Sequence, residues 1–218
     1  MPLRISDSAG NISYYSTVAS ALTWAADHGA RVANISYIVS HVAAIQSAAQ
    51  YMRSKGGVVV ASAGNTGAAM SFANTSSIIT VAGTDSSDNR ASWSAYGPIV
   101  DVAAPGVSIR TTAKGATYGS YSGTSFSSPL TASVVALMLS ANPSLQPSQV
   151  DSILTSTADD RGTAGRDDYY GYGRINAARA VAAAKAQATS DSSAPVVSAT
   201  VPSTTIKGIT TVSATATD

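Results

Sequence analysis

Cysteine is absent from the 218-residue chain, which excludes disulfides, thiolate nucleophiles and cysteine-based zinc sites. Charged residues make up only 11% of the sequence, against about 25% in soluble domains, so Ser, Thr, Asn and backbone groups must supply much of the polar surface. The net charge of +1 gives no large field for nucleic acid or an anionic membrane, and we expect neither as a partner.

Long apolar segments are also missing. No run approaches the roughly 20 residues of a membrane-spanning helix, and the longest candidate, residues 130–139, is interrupted by Thr131 and Ser133. The first seven residues have no apolar core behind a basic start, so they are not predicted to be a signal peptide. The hydrophobic fraction of 44% is still large enough for a buried core.

Apolar periodicity predicts helices and strands in alternation. The predicted helices are 14–28, 43–53, 125–141, 147–156 and 177–188, and the predicted strands are 3–6, 31–36, 58–61, 78–82 and 99–103, with a hairpin at 109–121. This alternation predicts an α/β domain with a mainly parallel sheet over residues 1–188. Residues 189–194 read as a linker. Residues 195–218 read as the start of a β-sandwich module, a truncated immunoglobulin-like or fibronectin-like unit.

A serine stands at the predicted start of an apolar helix, within the segment Gly-Thr-Ser-Phe-Ser-Ser-Pro at residues 123–129. The dipole and free N–H groups at a helix N-terminus favour negative charge, such as an alkoxide or a tetrahedral oxyanion. Gly123 permits close approach of the backbone, and Pro129 is predicted in the first helical turn. Ser125 is therefore a candidate nucleophile, and a plain helix cap is the alternative interpretation.

A second pattern follows a strand of continuous apolar character. The strand ends in the small residues Ala61, Ser62, Ala63 and Gly64, and Asn65 comes next. Small side chains leave space for a substrate group, and the amide of Asn65 offers two hydrogen-bond donors to that space. A simple Gly-Asn turn is the alternative interpretation.

Together these segments resemble the subtilase family of serine peptidases, over nearly all of residues 1–188. The matching stretches, in family order, are residues 31–36, 62–65, 79–83, 91–97, 102–106, 123–125 and 170–176. The resemblance implies a subtilisin-like three-layer domain that is N-terminally truncated. It also implies serine hydrolase chemistry on a peptide or ester substrate, and a secreted parent protein.

The resemblance assigns roles to particular residues. Ser125 is the implied nucleophile, and Asn65 is the implied oxyanion donor together with the Ser125 backbone N–H. The implied substrate-binding residues are Ser36, Tyr37 and Ile38 along the extended substrate, Ala61, Ser62, Ala63 and Gly64 around the residue before the scissile bond, and Thr124 beside the nucleophile.

The sequence departs from the family in its acid and base. The Asp-Thr/Ser-Gly and His-Gly-Thr settings of the family are not found, and neither His28 nor His41 precedes Gly-Thr. A serine hydroxyl is a poor nucleophile without a base. His41, which follows the expected substrate edge, is the candidate substitute base, whereas His28 is expected on the surface. The family usually has glycines after the serine that corresponds to Ser36, whereas this chain has the bulky residues Tyr37, Ile38 and Val39, so we expect a rebuilt recognition edge.

Three functions remain open at this point. The first is a subtilisin-type endopeptidase. The second is an esterase that uses Ser125 and a substitute base on short acyl esters. The third is an inactive fragment or pseudoenzyme that needs a complementing N-terminal segment.

Ligands other than substrate are less clearly indicated. Subtilases often bind calcium, so the resemblance allows for this ion. However, no pattern in the three acidic clusters provides the six to eight oxygens that calcium requires; these clusters are Asp85, Asp88 and Asn89, then Asp159-Asp160, then Asp167-Asp168. We therefore predict no metal site and no required cofactor.

A sheet edge left uncovered by truncation would favour self-association.

Overall fold

The computed structural model describes residues 1–7 and 14–189, and the backbone of two strands further on. The helices are α1 (Tyr15–Asp27), α2 (Ala43–Ser54), α3 (Thr124–Ala141), α4 (Pro147–Ser156) and α5 (Ala177–Thr189). The strands are β1 (Val32–Ile35), β2 (Val58–Ser62), β3 (Ile79–Thr84), β4 (Val102–Pro105), β5 (Ile109–Ala113), β6 (Thr117–Tyr121), β7 (Val196–Thr200) and β8 (Ser213–Thr217).

Most predicted elements are confirmed, and two strand predictions are wrong. Residues 3–6 form no strand, and only Ser6 makes an isolated bridge. The strand predicted at 99–103 begins at Val102 instead. Its apolar start belongs to a turn, because the Val100 N–H donates to the Gly97 carbonyl at 3.1 Å.

A four-stranded parallel sheet in the order β1-β2-β3-β4 confirms the predicted α/β class. In its register Val32 pairs with Val58, and Val60 pairs with Ile79. All five residues of β2 are buried, as expected for a strand covered on both faces. The order places β1 at one edge of the sheet.

Three layers form because alternate side chains of β2 point to opposite faces. Val58 and Val60 pack into the core formed with α3, α4 and α5. Val59 and Ala61 pack into the core formed with α1 and α2. The carboxyl end of β2 therefore emerges between the two helical layers, which is where the candidate site lies.

The central helix of the larger core is α3, which packs against all four strands of the parallel sheet. By length and composition α3 is also apolar enough to cross a membrane. Its contacts with the sheet identify it as a core helix.

The remaining features are a hairpin, a helix cap and a separate pair of strands. β5 and β6 form the predicted antiparallel hairpin, with Ala113 paired to Thr117. Asn176 caps α5, since its side-chain oxygen accepts from the Arg179 N–H at 3.0 Å. β7 and β8 pair antiparallel. Their membership of a separate β module, after a linker at 189–194, stays a prediction.

Candidate active site

Ser125 is the second residue of α3 and is half-buried. The first N–H groups of a helix have no carbonyl partner within the helix, so the Ser125 backbone N–H is free of intrahelical bonding. Its hydroxyl donates to the Ser36 carbonyl at 3.2 Å. Ser36 lies just beyond the end of β1, so the nucleophile candidate and the predicted substrate edge are in direct contact.

Pro129 lies in the second turn of α3, not in its first turn as predicted. A proline has no N–H, so it cannot donate to the carbonyl four residues earlier, which is that of Ser125. The freed carbonyl accepts instead from the Ser36 hydroxyl at 2.9 Å. Two reciprocal hydrogen bonds thus join Ser36 to Ser125.

The amide of Asn65 is oriented by Thr124. The Asn65 Oδ1 atom accepts from the Thr124 N–H at 2.9 Å and from the Thr124 hydroxyl at 2.8 Å. Because both bonds use the oxygen, the amide nitrogen points the other way. A Cβ added at Gly123 would lie 3.2 Å from Asn65 Nδ2 and 3.7 Å from the Ser125 nitrogen. Both donors therefore border the same small volume beside Gly123.

The first residue of α3, Thr124, is joined to the end of β2 by further hydrogen bonds. The Gly64 N–H donates to the Thr124 hydroxyl at 3.1 Å, and the Ser62 hydroxyl donates to the Thr124 carbonyl at 3.1 Å. Thr124 is completely buried. Although the resemblance implied that Thr124 contacts substrate, its polar groups bond within the protein in this structure.

The predicted pocket residues lie together at the end of β2, but their side chains are covered. Ala61 and Ala63 are fully buried, and Ser62 is 2% exposed. Ile38 packs directly against Gly64: a Cβ added at that glycine would lie 2.8 Å from Ile38 Cγ1. Tyr37, next to Ile38, is 45% exposed.

In the described part of the chain, neither His28 nor His41 forms a hydrogen bond with Ser125. The ring of His41 stacks on Phe72 with centroids 4.3 Å apart, and its buried Nδ1 atom has no hydrogen-bond partner. The ring of His28 stacks on Trp24 at 3.8 Å, and its Nδ1 atom contacts the Trp24 carbonyl at 2.8 Å.

Several of the acidic side chains considered for calcium bind arginines. Asp159 accepts from Arg174 and Arg179, each at 2.6 Å. Asp88 accepts a hydrogen bond from Arg161 at 2.7 Å and forms an ion pair with Arg174 at 3.0 Å. The absence of a calcium site remains a prediction.

Sequence reasoning missed Asp101, which immediately precedes β4. Burial raises the pKa of Asp101 to about 6, although bonds from the Thr80 N–H and the Asn74 amide oppose the shift. Asp101 and Asp151 line a cavity of about 250 Å³. The position of Asp101 directly before an apolar strand was the sequence feature that could have indicated a buried carboxylate.

A second cavity, of about 710 Å³, lies along the edge of the sheet. Its walls are residues 1–5 on one side and β1 with Ser36 and Tyr37 on the other, and α1 also lines it. Val18 and Leu22 supply part of the apolar lining. We call this feature the edge trough.

A serine at a helix N-terminus beside an asparagine amide is an arrangement that can provide a nucleophile and an oxyanion hole for a hydrolase. A family profile described as the subtilase family (Peptidase S8) matches residues 1–173. The chain therefore belongs to the subtilase family, which confirms the predicted resemblance.

Relatives of this family match most of the chain. The chain is 40% identical to thermitase of Thermoactinomyces vulgaris over 185 residues, which are 83% of the chain and 64% of thermitase. It is 39% identical to subtilisin BL of Lederbergia lenta over 165 residues, or 74% of the chain and 60% of that relative. The chain thus spans less than two thirds of the length of either relative.

Solved structures agree on the fold. A protease of Pseudoalteromonas arctica superposes with a TM-score of 0.68 at 30% identity, covering 78% of the chain and 59% of that structure. A lanthipeptide protease superposes with a TM-score of 0.71 at 24% identity, covering 83% of the chain and 68% of that structure. The second likeness is one of fold alone.

Proposed function

We propose that this chain supplies the nucleophile and the oxyanion hole of a subtilisin-type serine peptidase. Ser125 attacks the substrate carbonyl, and the Asn65 amide and the Ser125 backbone N–H stabilise the oxyanion that forms. The observation that carries the proposal is that two donors border one volume beside Gly123. A Cβ built at Gly123 would lie 3.2 Å from Asn65 Nδ2 and 3.7 Å from the Ser125 nitrogen. The family assignment supports a peptide substrate.

The proton of Ser125 needs an acceptor that can hold it. The hydroxyl now donates to the Ser36 carbonyl, and an amide carbonyl is far too weak a base to take a proton. We therefore propose that full peptidase activity needs a base from outside the described residues, in the form of an Asp- and His-bearing segment such as the family uses.

Hydrolysis of short acyl esters is the second candidate function. An activated ester has a good leaving group that departs without receiving a proton, so the oxyanion hole alone assists its cleavage. His41 is the candidate substitute base, and its unpartnered Nδ1 atom favours that role. To act, the imidazole would have to leave its stack on Phe72 and approach Ser125.

The third candidate is a scaffold that is inactive until complemented by another segment. It is favoured by the edge trough, which borders Ser36 and so reaches the immediate surroundings of Ser125. In each case the parent protein is proposed to be secreted and to need no cofactor.

Labelling with a fluorophosphonate tests the nucleophile. We expect one covalent adduct on wild-type protein by intact mass, located at Ser125 by peptide mapping. Ser125→Ala should give none, while Ser133→Ala, at an exposed serine on the same helix, should label as wild type does. Equal labelling of Ser125→Ala and wild type would overturn the proposal.

Hydrolysis of p-nitrophenyl acetate separates the candidate functions. Turnover that is lost in Ser125→Ala and in His41→Ala would assign the esterase and its base. Turnover that is lost only in Ser125→Ala would assign the esterase to Ser125 and exclude His41 as its base. If wild type matches the buffer rate and gains casein cleavage when a family N-terminal segment is added, the scaffold function is correct.

The oxyanion donor has its own prediction. In subtilisin, loss of the asparagine donor lowers turnover by about 10²–10³-fold, and we expect a loss of that order for Asn65→Ala. The measurement is the rate of ester hydrolysis or of fluorophosphonate labelling. Asn74→Ala, which removes an amide outside the site, is the control. An unchanged rate in Asn65→Ala would remove Asn65 from the oxyanion hole.

A further inference from the structure

Ile38 occupies the space that Gly64 leaves open near the start of α3. Gly64 has a φ of +111° and no side chain, so it would expose a hollow at the end of β2. A Cβ built there would lie 2.8 Å from Ile38 Cγ1 and 3.6 Å from the Ala95 Cβ. The hollow is therefore filled from one side by Ile38 and bounded on the other by Ala95.

The hollow lies next to the reacting groups. Gly64 immediately precedes Asn65, and its N–H is bonded to Thr124, the residue before Ser125. Ser36, two residues before Ile38, accepts the Ser125 hydroxyl bond. An acyl group whose carbonyl is held by Asn65 and attacked by Ser125 therefore has its substituent close to Gly64 and Ser36, where Ile38 fills the hollow.

The backbone around Ile38 holds its side chain in place. On one side the Tyr37 N–H bonds to the Ile35 carbonyl at 2.8 Å. On the other side Val39 is fully buried, and the Ser40 hydroxyl lies 2.6 Å from that of Thr80. Isoleucine is branched at Cβ and has few χ1 rotamers, so Ile38 cannot swing aside easily.

We propose that Ile38 closes the acyl-side pocket and restricts Ser125 to substrates with small acyl substituents. Glycyl, alanyl and acetyl groups fit beside Ile38, whereas aromatic and long aliphatic groups are excluded by overlap with it. This specificity rests on the proposed role of Ser125 as the nucleophile. It also favours short acyl esters among the ester substrates.

Two sulfonyl fluorides of different size test the restriction. In each reaction the Ser125 oxygen bonds to sulfur, the S–F bond breaks, and fluoride and the serine proton are released. Wild type should react with methanesulfonyl fluoride and much more slowly with phenylmethanesulfonyl fluoride, as followed by intact mass. In Ile38→Gly and Ile38→Ala the ratio of aromatic to methyl labelling should rise by about 10–100-fold, the range that pocket contacts give.

Val42→Ala is the matched control, because Val42 is also β-branched and lies in the same loop but contacts the α1–α2 core instead of Gly64. It should keep the wild-type ratio. Circular dichroism would confirm that each variant is folded. Wild type that labels equally with both reagents, or a folded Ile38→Gly variant with an unchanged ratio, would overturn the proposal.

A binding measurement separates this proposal from the role of Ser125. Benzene is titrated into Ser125→Ala protein with and without Ile38→Gly, while the amide resonances of Ala63 and Gly64 are followed by NMR. Resonance shifts that occur only in the double variant would support the pocket that Ile38 closes. If such shifts occur and no reagent labels Ser125, the proposed role of Ser125 fails and the role of Ile38 stands. Shifts of equal size in both proteins, or in neither, would overturn the role of Ile38.

Discussion

Thr124 joins two functional groups through one hydroxyl. That hydroxyl donates to Asn65 Oδ1 at 2.8 Å and accepts from the Gly64 N–H at 3.1 Å, inside a fully buried environment. The asparagine amide is therefore held by a residue that never needs to touch the substrate. A buried donor left without its acceptor costs about 1–3 kcal/mol, so this hydroxyl also contributes to folding.

We predict that Thr124→Val lowers the free energy of unfolding by about 1–3 kcal/mol and slows the labelling of Ser125. Valine has the same shape but can neither accept from Gly64 nor donate to Asn65 through its side chain, so Asn65 keeps only the bond from the backbone N–H of residue 124. Chemical denaturation and fluorophosphonate labelling measure the two effects. Thr124→Ser keeps the hydroxyl and should label nearly as wild type does. Wild-type labelling by Thr124→Val would show that Asn65 needs no support from this residue.

We predict that Asp101 makes the free energy of unfolding depend on pH. Burial raises its pKa to about 6, above the value of about 3.9 in an unfolded chain. The native state therefore binds this proton more tightly, and the free energy of unfolding falls as the pH rises from about 4 to about 6. Burial raises the pKa of Asp151 as well, so its contribution has the same sign.

We expect the loss of stability over this pH range to be on the order of 2 kcal/mol. Urea unfolding at pH 4, 5, 6 and 7 measures it. Asp101→Asn keeps an acceptor for the Thr80 N–H, and the Asn74 amide can turn its oxygen towards the new side chain. That variant should have a flatter profile. A slope as steep as that of wild type would assign the pH dependence to other groups.

At the scale of elements, Arg31 joins the start of the sheet to connections that follow helices of both layers. Its guanidinium donates to the carbonyls of Gly56 at 2.8 Å, Pro143 at 3.0 Å and Leu145 at 2.9 Å. Gly56 lies in the connection from α2 to β2, and Pro143 and Leu145 lie in the connection from α3 to α4. A single side chain just before β1 thus ties together two connections.

We predict that Arg31→Met lowers the free energy of unfolding by about 2–3 kcal/mol, because methionine keeps the apolar stem but makes none of the three hydrogen bonds. Denaturant unfolding measures the change. Arg110→Met, on the exposed face of the β5–β6 hairpin, should change stability by less than about 0.5 kcal/mol. Equal effects of the two substitutions would contradict a joining role for Arg31.

Elements with a strong local pattern could be predicted from the sequence. The helices α2 and α4 and the hairpin around Gly115 follow their predicted limits closely, because apolar period and turn residues act locally. The strand predicted at residues 3–6 does not form, since a strand also needs a paired neighbour. The apolar residues Ile99 and Val100 pack in a turn, because burial alone does not specify a strand.

The candidate site was predictable only as a set of residues. The pattern identified Ser125 and Asn65 but could not show that Pro129 frees a carbonyl for Ser36. Nor could it show that Ile38 covers Gly64. Both facts depend on contacts between residues far apart in the sequence, and no periodicity reports those contacts.

At the scale of the whole molecule, β2 is the one sheet neighbour of β1 in the part of the chain that the structure describes, and the edge trough lies beside β1. The free N–H and C=O groups of an edge strand favour pairing with another chain. The trough beside it has a partly apolar lining from α1 and β1. Only 11% of the residues are charged and the net charge is +1, so little electrostatic repulsion opposes association.

We therefore predict that the chain self-associates through the edge trough. Light scattering after size-exclusion chromatography should give an average mass that rises with protein concentration. Ala33→Lys places a charge on β1 within the trough, which protects an edge strand, and should return the protein to monomer. Ala178→Lys, at an exposed position on α5, should associate as wild type does. A wild-type chain that stays a compact monomer at all concentrations would contradict the prediction, and association that survives Ala33→Lys would place the interface on another surface.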